Sequence, residues 1–308
     1  MKVSAPFGFV TGCHAGDKFM VQATLASMRY YCPEVPICLI VDGKVDVSDL
    51  QEQYGLIVLR VDDLPSDKMR QLIAGTPRAK LAAMWEGPFE FYVWLDSDAI
   101  VWGDITKQIR ADVDFQIFWH EISIPADAVE IPPWLPHFYF DPEKLKTFDP
   151  TFEWRGLPYF SDGVFACRRN AISMDEWNLV LSWNKEINRP WPVAFHCMPF
   201  INYLVHSKSQ RSDLKVCLSD LQTIPSFLGK SEMYKDCFDS KWHFPKNIQR
   251  PRFAHFCGIK PLIVDSKAFS RPFTISRLEH HRRKHGNLAA WLTVLTEDTR
   301  VCIKKLML

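Results

Sequence analysis

Residues 91–98 read Phe-Tyr-Val-Trp-Leu-Asp-Ser-Asp, five apolar residues followed at once by two carboxylates one residue apart. An unbroken apolar run of this kind is typical of a strand that is covered on both faces, as in a parallel sheet. Asp96 and Asp98 then stand at the carboxyl end of that strand, where parallel sheets bind their ligands. The stretch therefore predicts an α/β fold with a functional site at one edge of the sheet.

The segments on either side of this stretch alternate between strand and helix patterns. Further strands are predicted over residues 7–10, 37–41, 56–61, 114–120, 163–168 and 253–257. Helices are predicted over residues 17–31, 76–85 and 173–186, and from residue 274 onward. This order favours a mostly parallel sheet that is flanked by helices.

The chain of 308 residues is long enough to form one large α/β domain with an insertion. Residues 122–158 are rich in Pro and Trp, and a connection of that length is usually functional. We therefore predict one domain over residues 1–270, with an insertion near 121–160, and a basic helical extension over 271–308.

Composition narrows the class of protein further. A hydrophobic content of 47% excludes a disordered chain, and a net charge of +1 argues against a nucleic-acid partner. The nine cysteines have no paired spacing, which indicates a reducing compartment. The N-terminus lacks the pattern of a signal peptide, and no apolar run approaches the roughly 20 residues of a membrane span. We expect a soluble, cytoplasmic protein.

Three groups of residues could carry chemistry. Asp96 and Asp98 can reach one Mn²⁺ or Mg²⁺ and the diphosphate that such a cation carries; alternatively, they only form a turn or cap a helix near Asp104. Lys80, on a predicted helix, can neutralise a phosphate or hold Asp96, unless it is a solvated helix lysine.

The third group lies in residues 254–261, Ala-His-Phe-Cys-Gly-Ile-Lys-Pro. His255 closes a strand, Gly258 allows close approach of the backbone to a ligand, and Lys260 can meet a phosphate. The alternative is a buried histidine beside a turn glycine.

Taken together, these segments resemble the family 8 glycosyltransferases, the GT-A-fold group that includes glycogenin and bacterial lipooligosaccharide galactosyltransferases. The matching segments, in chain order, are Phe9-Val10-Thr11, Ala26-Ser27-Met28, Lys80-Leu81, Leu95-Asp96-Ser97-Asp98, residues 159–165 and residues 255–261. They span about residues 5 to 265. Together they are more specific than any single motif.

The resemblance implies a GT-A fold and transfer of a hexose from a nucleotide diphosphate sugar, most readily a UDP-sugar, to a glycan, glycolipid or protein acceptor. It also implies a set of site residues. A divalent cation would be held by Asp96, Asp98 and His255, the diphosphate by Lys260 and the Gly258 backbone, and the nucleotide by Thr11. Lys80 and Lys260, with Arg78 as a further candidate, would stabilise charge during transfer. The insertion, with Trp134 and Trp154, would form the acceptor side.

The chain departs from the family pattern at several positions. An Asp-Gln pair of the family, close to the anomeric carbon, falls on Cys197-Met198, and a family Asn falls on Ser161. A carboxylate is gained at Asp162, which could contact the donor sugar, orient the acceptor hydroxyl or accept its proton; alternatively, it only forms a turn before Gly163. The family's Lys-Pro segment also has one more residue after its Gly and a Trp at the position of Leu262. The resemblance therefore does not decide between retention and inversion at the anomeric carbon.

Three other functions remain open at the sequence level. A phosphatase of the haloacid dehalogenase type also has an Asp-x-Asp motif after an apolar strand, although it prefers Thr or Val where Ile100 stands. A nucleotidyltransferase would need a Gly-rich basic loop near the N-terminus, and none is present. A non-catalytic sugar-nucleotide-binding protein fits the loss at Cys197-Met198.

The C-terminal extension suggests a membrane contact. Its basic residues outnumber its acidic ones, and Leu288, Trp291, Leu292 and Leu295 fall on one helical stripe. Its basic residues include Arg277, Arg282, Arg283, Lys284, Arg300, Lys304 and Lys305, against Glu279, Glu297 and Asp298. Such a helix can lie on an anionic membrane surface. The alternative is a terminal helix that packs on the domain and leaves its basic face in solvent.

Overall fold

A computed structural model describes residues 5–76, 78–186, 197–225, 235–237, 240–258, 261–262 and 267–306. The strands are β1 (Ala5–Cys13), β2 (Ile37–Val41), β3 (Ile57–Arg60), β4 (Phe89–Leu95), β5 (Ala99–Trp102), β6 (Phe115–Ile117), β7 (His120–Ser123), β8 (Pro158–Phe160), β9 (Val164–Arg168), β10 (Val216–Leu218), β11 (Gln222–Thr223) and β12 (Arg252–His255). The helices are α1 (Lys18–Tyr31), α2 (Ser48–Tyr54), α3 (Asp67–Ile73), α4 (Ala79–Glu86), α5 (Trp134–Phe138), α6 (Pro142–Leu145), α7 (Met174–Glu186), α8 (Cys197–Gln210) and α9 (Lys267–Leu306).

The chain divides by its contacts into two units. The first unit holds the described residues of Met1–Phe7, Asp63–Trp94 and Arg110–Asp220, and the second holds those of Gly8–Asp62, Leu95–Ile109 and Leu221–Leu308. The described part of the extension that the sequence predicts over residues 271–308 therefore belongs by its contacts to the second unit.

In the second unit, β1, β2 and β3 lie side by side and parallel, with Phe9 opposite Ile37 and Cys38 opposite Ile57. All five residues of β2 are buried, as an unbroken apolar run between covering helices requires. A separate three-stranded sheet has the order β11-β12-β5. Both edge strands pair with the central strand β12. Strand β11 runs parallel to β12, and β5 runs antiparallel to it.

In the first unit the strand order is β10-β6-β9-β4. Strand β6 runs parallel to β10 and antiparallel to β9. Strand β4 is buried at every position except Glu90, in keeping with its apolar sequence. The predicted α/β architecture, a mostly parallel sheet flanked by helices, is confirmed.

The insertion contains more regular structure than the sequence predicts. Strands β7 and β8 pair antiparallel, and the chain between them forms α5 and α6. The indole of Trp154 is 2% exposed, with the Arg155 guanidinium 4.3 Å from its centroid, so its ring is packed inside the first unit. Trp134 is half-buried against Tyr139 and Tyr159.

Helix α9 is broken at Gly286, whose φ of 75° lies in the left-handed region that glycine tolerates best. Its first segment completes a buried cluster of the second unit, in which Phe273 and Ile275 join Met20, Ile100 and Trp102. This cluster anchors β5 directly behind the Asp-x-Asp turn. Among the described residues, no helix combines the length and the hydropathy that crossing a bilayer requires.

Candidate metal centre

The Asp96-Ser97-Asp98 segment forms a tight turn between β4 and β5. The backbone N–H of Ala99 donates to the Asp96 carbonyl at 2.9 Å, and the Thr24 hydroxyl of α1 donates to the Ser97 carbonyl at 2.8 Å. The turn that the Asp-x-Asp pattern also predicts as a structural alternative is therefore present. It does not compete with a site, because it places the two carboxylates side by side.

Strand pairing brings His255 to this turn. Strand β12 runs antiparallel to β5 with His255 opposite Ala99, and the Phe256 N–H donates to the Asp98 carbonyl at 2.9 Å. The imidazole Nε2 lies 3.4 Å from Asp98 Oδ1 and 3.8 Å from Asp96 Oδ2. The predicted grouping of two carboxylates with one histidine, distant in sequence, is present in the second unit.

The arrangement suits a divalent cation. One ligand atom from each of the three residues lies within 4.8 Å of the other two. Two ligands of a cation that is bound at about 2.1 Å lie no more than about 4.2 Å apart, and both imidazole–carboxylate separations meet this limit. Two carboxylate oxygens and one imidazole nitrogen form a donor set that fits a divalent cation.

One neighbour of His255 is not predicted from the sequence. Gln222 of β11 is 2% exposed, and its amide nitrogen lies 3.4 Å from the imidazole Nδ1. No local motif marks this glutamine, because only the pairing of β11 with β12 brings it to the histidine.

A second polar group is built in the first unit. The Lys80 ammonium donates to the Asp162 carboxylate and to the Asp162 carbonyl, both at 2.9 Å. The two side chains are 6% and 14% exposed. The sequence suggests a role for each residue but does not predict that they form an ion pair.

The segment before Asp162 is held in place by Asn202 of α8. Its side-chain amide accepts from the Phe160 N–H at 3.0 Å and donates to the Phe160 carbonyl at 2.8 Å. The same amide nitrogen donates to the Met198 carbonyl at 2.9 Å. Cys197 and Met198, at the start of α8, are buried apolar side chains.

The surroundings of the other predicted site residues differ from one residue to the next. Gly258 is exposed, has a φ of 79°, and has open space where a side chain would stand, so its backbone is accessible. Thr11 is fully buried in β1, and its hydroxyl has no hydrogen-bond partner among the described residues. Arg78 donates to the Leu72 carbonyl at 3.2 Å. Lys260 lies outside the described residues.

Comparison with known proteins gives a result for the fold alone. No protein-family model matches the chain, and no curated protein sequence does. The chain is similar in structure to the galactosyltransferase LgtC in complex with donor and acceptor sugar analogues, with a TM-score of 0.51 and 16% identity over 90% of this chain and 95% of LgtC. An active-site mutant of LgtC gives a TM-score of 0.54 and 15% identity over the same shares of both chains.

The bifunctional glycosyltransferase WbbM gives a TM-score of 0.55 and 13% identity, over 94% of this chain and 51% of WbbM. At such low identities the likeness concerns the fold. The fold that the sequence resemblance implies is therefore confirmed: the chain has the GT-A fold of these glycosyltransferases.

Proposed function

We propose that the protein is a metal-dependent glycosyltransferase that moves a hexose from a nucleotide diphosphate sugar, most readily a UDP-sugar, to a glycan, glycolipid or protein acceptor. The observation that carries the proposal is the cluster of Asp96, Asp98 and His255 at the end of β4 in a chain with the GT-A fold. One protein of similar structure, a galactosyltransferase with donor and acceptor sugar analogues bound, supports the same class of reaction.

The proposed roles follow from the chemistry of each group. Asp96, Asp98 and His255 hold Mn²⁺ or Mg²⁺, which supplies Lewis-acid stabilisation of the charge on the leaving diphosphate. The exposed backbone at Gly258 and the Lys260 ammonium bind the diphosphate. The nucleotide binds at the loop that adjoins β1, and Thr11, whose side chain is fully buried, acts there only through the position of its strand. Lys80 contributes positive charge and holds the Asp162 carboxylate in place. That carboxylate orients the acceptor hydroxyl or accepts its proton.

The experiment that tests this function is the release of UDP from a panel of UDP-hexoses, without acceptor, in the presence of Mn²⁺ or Mg²⁺. A glycosyltransferase should hydrolyse its own donor slowly and should stop when the cation is chelated. Nucleotide binding without turnover for any donor would instead identify a non-catalytic binding protein. Phosphate release from a simple phosphomonoester would favour the phosphatase, whose fold is a different one.

Asp162 yields a prediction that is specific to this chain. Replacing Asp162 with Asn keeps the shape of the side chain and an acceptor for the Lys80 ammonium, but removes the charge. If Asp162 orients or deprotonates the acceptor, the rate of sugar transfer to an acceptor should fall about a hundredfold while donor binding is retained. The exposed carboxylate of Asp112, in the same unit, provides the control, and Asp112→Asn should keep the normal rate.

Lys80 is nearly buried, so a purely structural role of Asp162 is the competing explanation. In that case Asp162→Asn would lower the thermal midpoint and leave the rate per folded molecule unchanged. That outcome would remove Asp162 from the proposed mechanism.

We also propose that the second segment of α9 contacts an anionic membrane surface. Leu288, Leu292, Leu295 and Ile303 are 43–77% exposed and fall on one helical stripe. Nearby acidic side chains do not oppose such a contact, because Glu297 and Asp298 are both paired with the buried Arg277. Arg300 is exposed on this segment and adds positive charge. Arg277 itself is fully buried and is not part of the basic face to which the sequence pattern assigned it.

Sedimentation with lipid vesicles tests this contact. The full-length chain should sediment with vesicles that contain phosphatidylglycerol at low salt, and less so at high salt or with neutral vesicles. The double variant Leu292→Ser, Leu295→Ser should stay in solution, whereas Leu179→Ser, which removes an exposed leucine of α7, should behave as the wild type. A chain that never sediments, or one that dimerises through the stripe, would contradict the proposal.

A further inference from the structure

The side chain of Gln222 is placed beside His255 by strand pairing. Gln222 lies opposite Phe253 in the parallel pairing of β11 with β12. Side chains alternate between the faces of a strand, so Phe253 and His255 share a face, and Gln222 lies on that same face. The amide is buried, and its nitrogen is 3.4 Å from His255 Nδ1.

The oxygen of the Gln222 amide is a buried hydrogen-bond acceptor. Gln222 Oε1 has no hydrogen-bond partner among the described residues. Leaving a buried acceptor unpaired is unfavourable, because the group has given up its hydrogen bonds to water. The nitrogen and the oxygen of an amide have nearly the same shape, so a half-turn of the amide exchanges their positions without a change in packing.

A cation bound by Asp96 and Asp98 would determine which of the two orientations the Gln222 amide adopts. His255 presents Nε2 to Asp96 and Asp98, and this nitrogen can bind a cation only through its lone pair. The proton of the neutral imidazole must then reside on Nδ1, where it needs an acceptor. The turned amide supplies that acceptor, and the same hydrogen bond satisfies the unpaired Oε1.

We propose that Gln222 is a positioning residue for the metal centre: its Oε1 accepts the Nδ1–H of His255 and so keeps the Nε2 lone pair available to the cation. This inference rests on the proposed function, because it requires a cation at Asp96, Asp98 and His255. Partners of this kind fix the tautomer and the orientation of histidine ligands.

Two variants separate an acceptor role from a donor role. Gln222→Met keeps the approximate shape and loses both hydrogen-bonding functions. Gln222→Glu keeps an acceptor and, when ionised, cannot donate. If Gln222 acts as an acceptor, the methionine variant should bind Mn²⁺ about 10–100-fold more weakly, and the glutamate variant at least as tightly as the wild type. If the amide instead served as a donor to Nδ1, it would hold the proton on Nε2 and oppose the cation, and the methionine variant would bind Mn²⁺ no more weakly than the wild type.

The measurement is titration of the full chain with Mn²⁺ alone, followed by electron paramagnetic resonance. Gln22→Met is the matched control, since Gln22 is also buried in the second unit with an unpartnered Oε1. It should bind Mn²⁺ as the wild type does. The thermal midpoint of each variant shows that it is folded, and nitrogen NMR of the imidazoles with Mg²⁺ bound should show the proton of His255 on Nδ1.

Wild-type affinity of Gln222→Met, weakened binding by Gln222→Glu, or a proton on Nε2 in the Mg²⁺-loaded protein would each overturn the inference. These outcomes differ from a failure of the proposed function. In that case the wild-type chain itself would not bind Mn²⁺ at this cluster, and the proposed role of Gln222 would be wrong together with the site.

Discussion

We expect the Asp98→Asn protein to lose cation-dependent release of UDP from its donor by a factor of about a thousand or more. The substitution removes one of the two anionic ligands, and losing the cation forfeits several kcal/mol of transition-state stabilisation. The fold should survive, because the hydrogen bond from Phe256 reaches the backbone carbonyl of Asp98 and not its side chain. The assay is UDP release with Mn²⁺, together with the thermal midpoint of each protein.

Asp104→Asn is the matched control for this experiment. Asp98 precedes β5, and Asp104 follows the other end of that strand. Asp104 is exposed, and its side chain accepts from the Thr106 N–H at 3.0 Å. Its variant should keep the normal cation dependence. If Asp98→Asn and Asp96→Asn both turned over at the wild-type rate, the two carboxylates would not hold the cation.

The second large effect is expected at Arg277, whose replacement by methionine should lower the free energy of unfolding by about 3–5 kcal/mol. The guanidinium is fully buried, with Nη1 2.6 Å from Asp298 Oδ1 and Nη2 2.7 Å from Glu297 Oε2. Asp298 is itself 1% exposed. Removing the cation therefore takes this positive charge away from the buried Asp298 carboxylate and the partly buried Glu297 carboxylate, and thermal and urea unfolding measure the loss.

This interaction also has a defined pH dependence. Burial acts to raise the pKa of Glu297, yet hydrogen bonds from His281 and Arg277 and the charge of Arg277 hold it below its ordinary value of 4.5. A carboxyl group whose pKa is lowered by folding adds stability above its unfolded pKa and loses that contribution as the pH falls. The difference between wild type and Arg277→Met should therefore shrink below about pH 4.5.

A compensating variant makes the Arg277 prediction falsifiable. Replacing Arg277, Glu297 and Asp298 together with Met, Gln and Leu removes the buried charges at once, and should recover most of the lost stability. If Arg277→Met alone unfolded at the wild-type midpoint at neutral pH, the ion pairs would contribute nothing to the stability of the second unit.

The parts of the fold that could be predicted from sequence are those with strong local signals. Helix α1 begins one residue after the predicted start and ends at Tyr31 as predicted, and β2 matches residues 37–41. The Asp-x-Asp motif was interpretable because β4 is long, apolar and directly adjacent. His255 could be added only through the family resemblance, since its distance from Asp96 along the chain carries no local signal.

The parts that could not be predicted depend on pairing between distant segments. Strand β5 has four residues and follows the Asp-x-Asp turn directly, so its sequence gave no separate strand signal. Strand β11 has only two residues, and its partner β12 is about thirty residues further along the chain. For the same reason the sequence grouped Arg277 with the exposed basic residues, although its partners, twenty residues later, draw it into the interior.

The central claim is that Asp96, Asp98 and His255 hold the cation that binds the nucleotide diphosphate. Titration of Mn²⁺ into the full-length chain with and without UDP, followed by electron paramagnetic resonance, tests it most directly. The wild type should bind one Mn²⁺ per chain, more tightly when UDP is present, and the double variant Asp96→Asn, Asp98→Asn should bind none at this site. Equal Mn²⁺ binding by the wild type and the double variant, or no effect of UDP on the wild type, would contradict the claim.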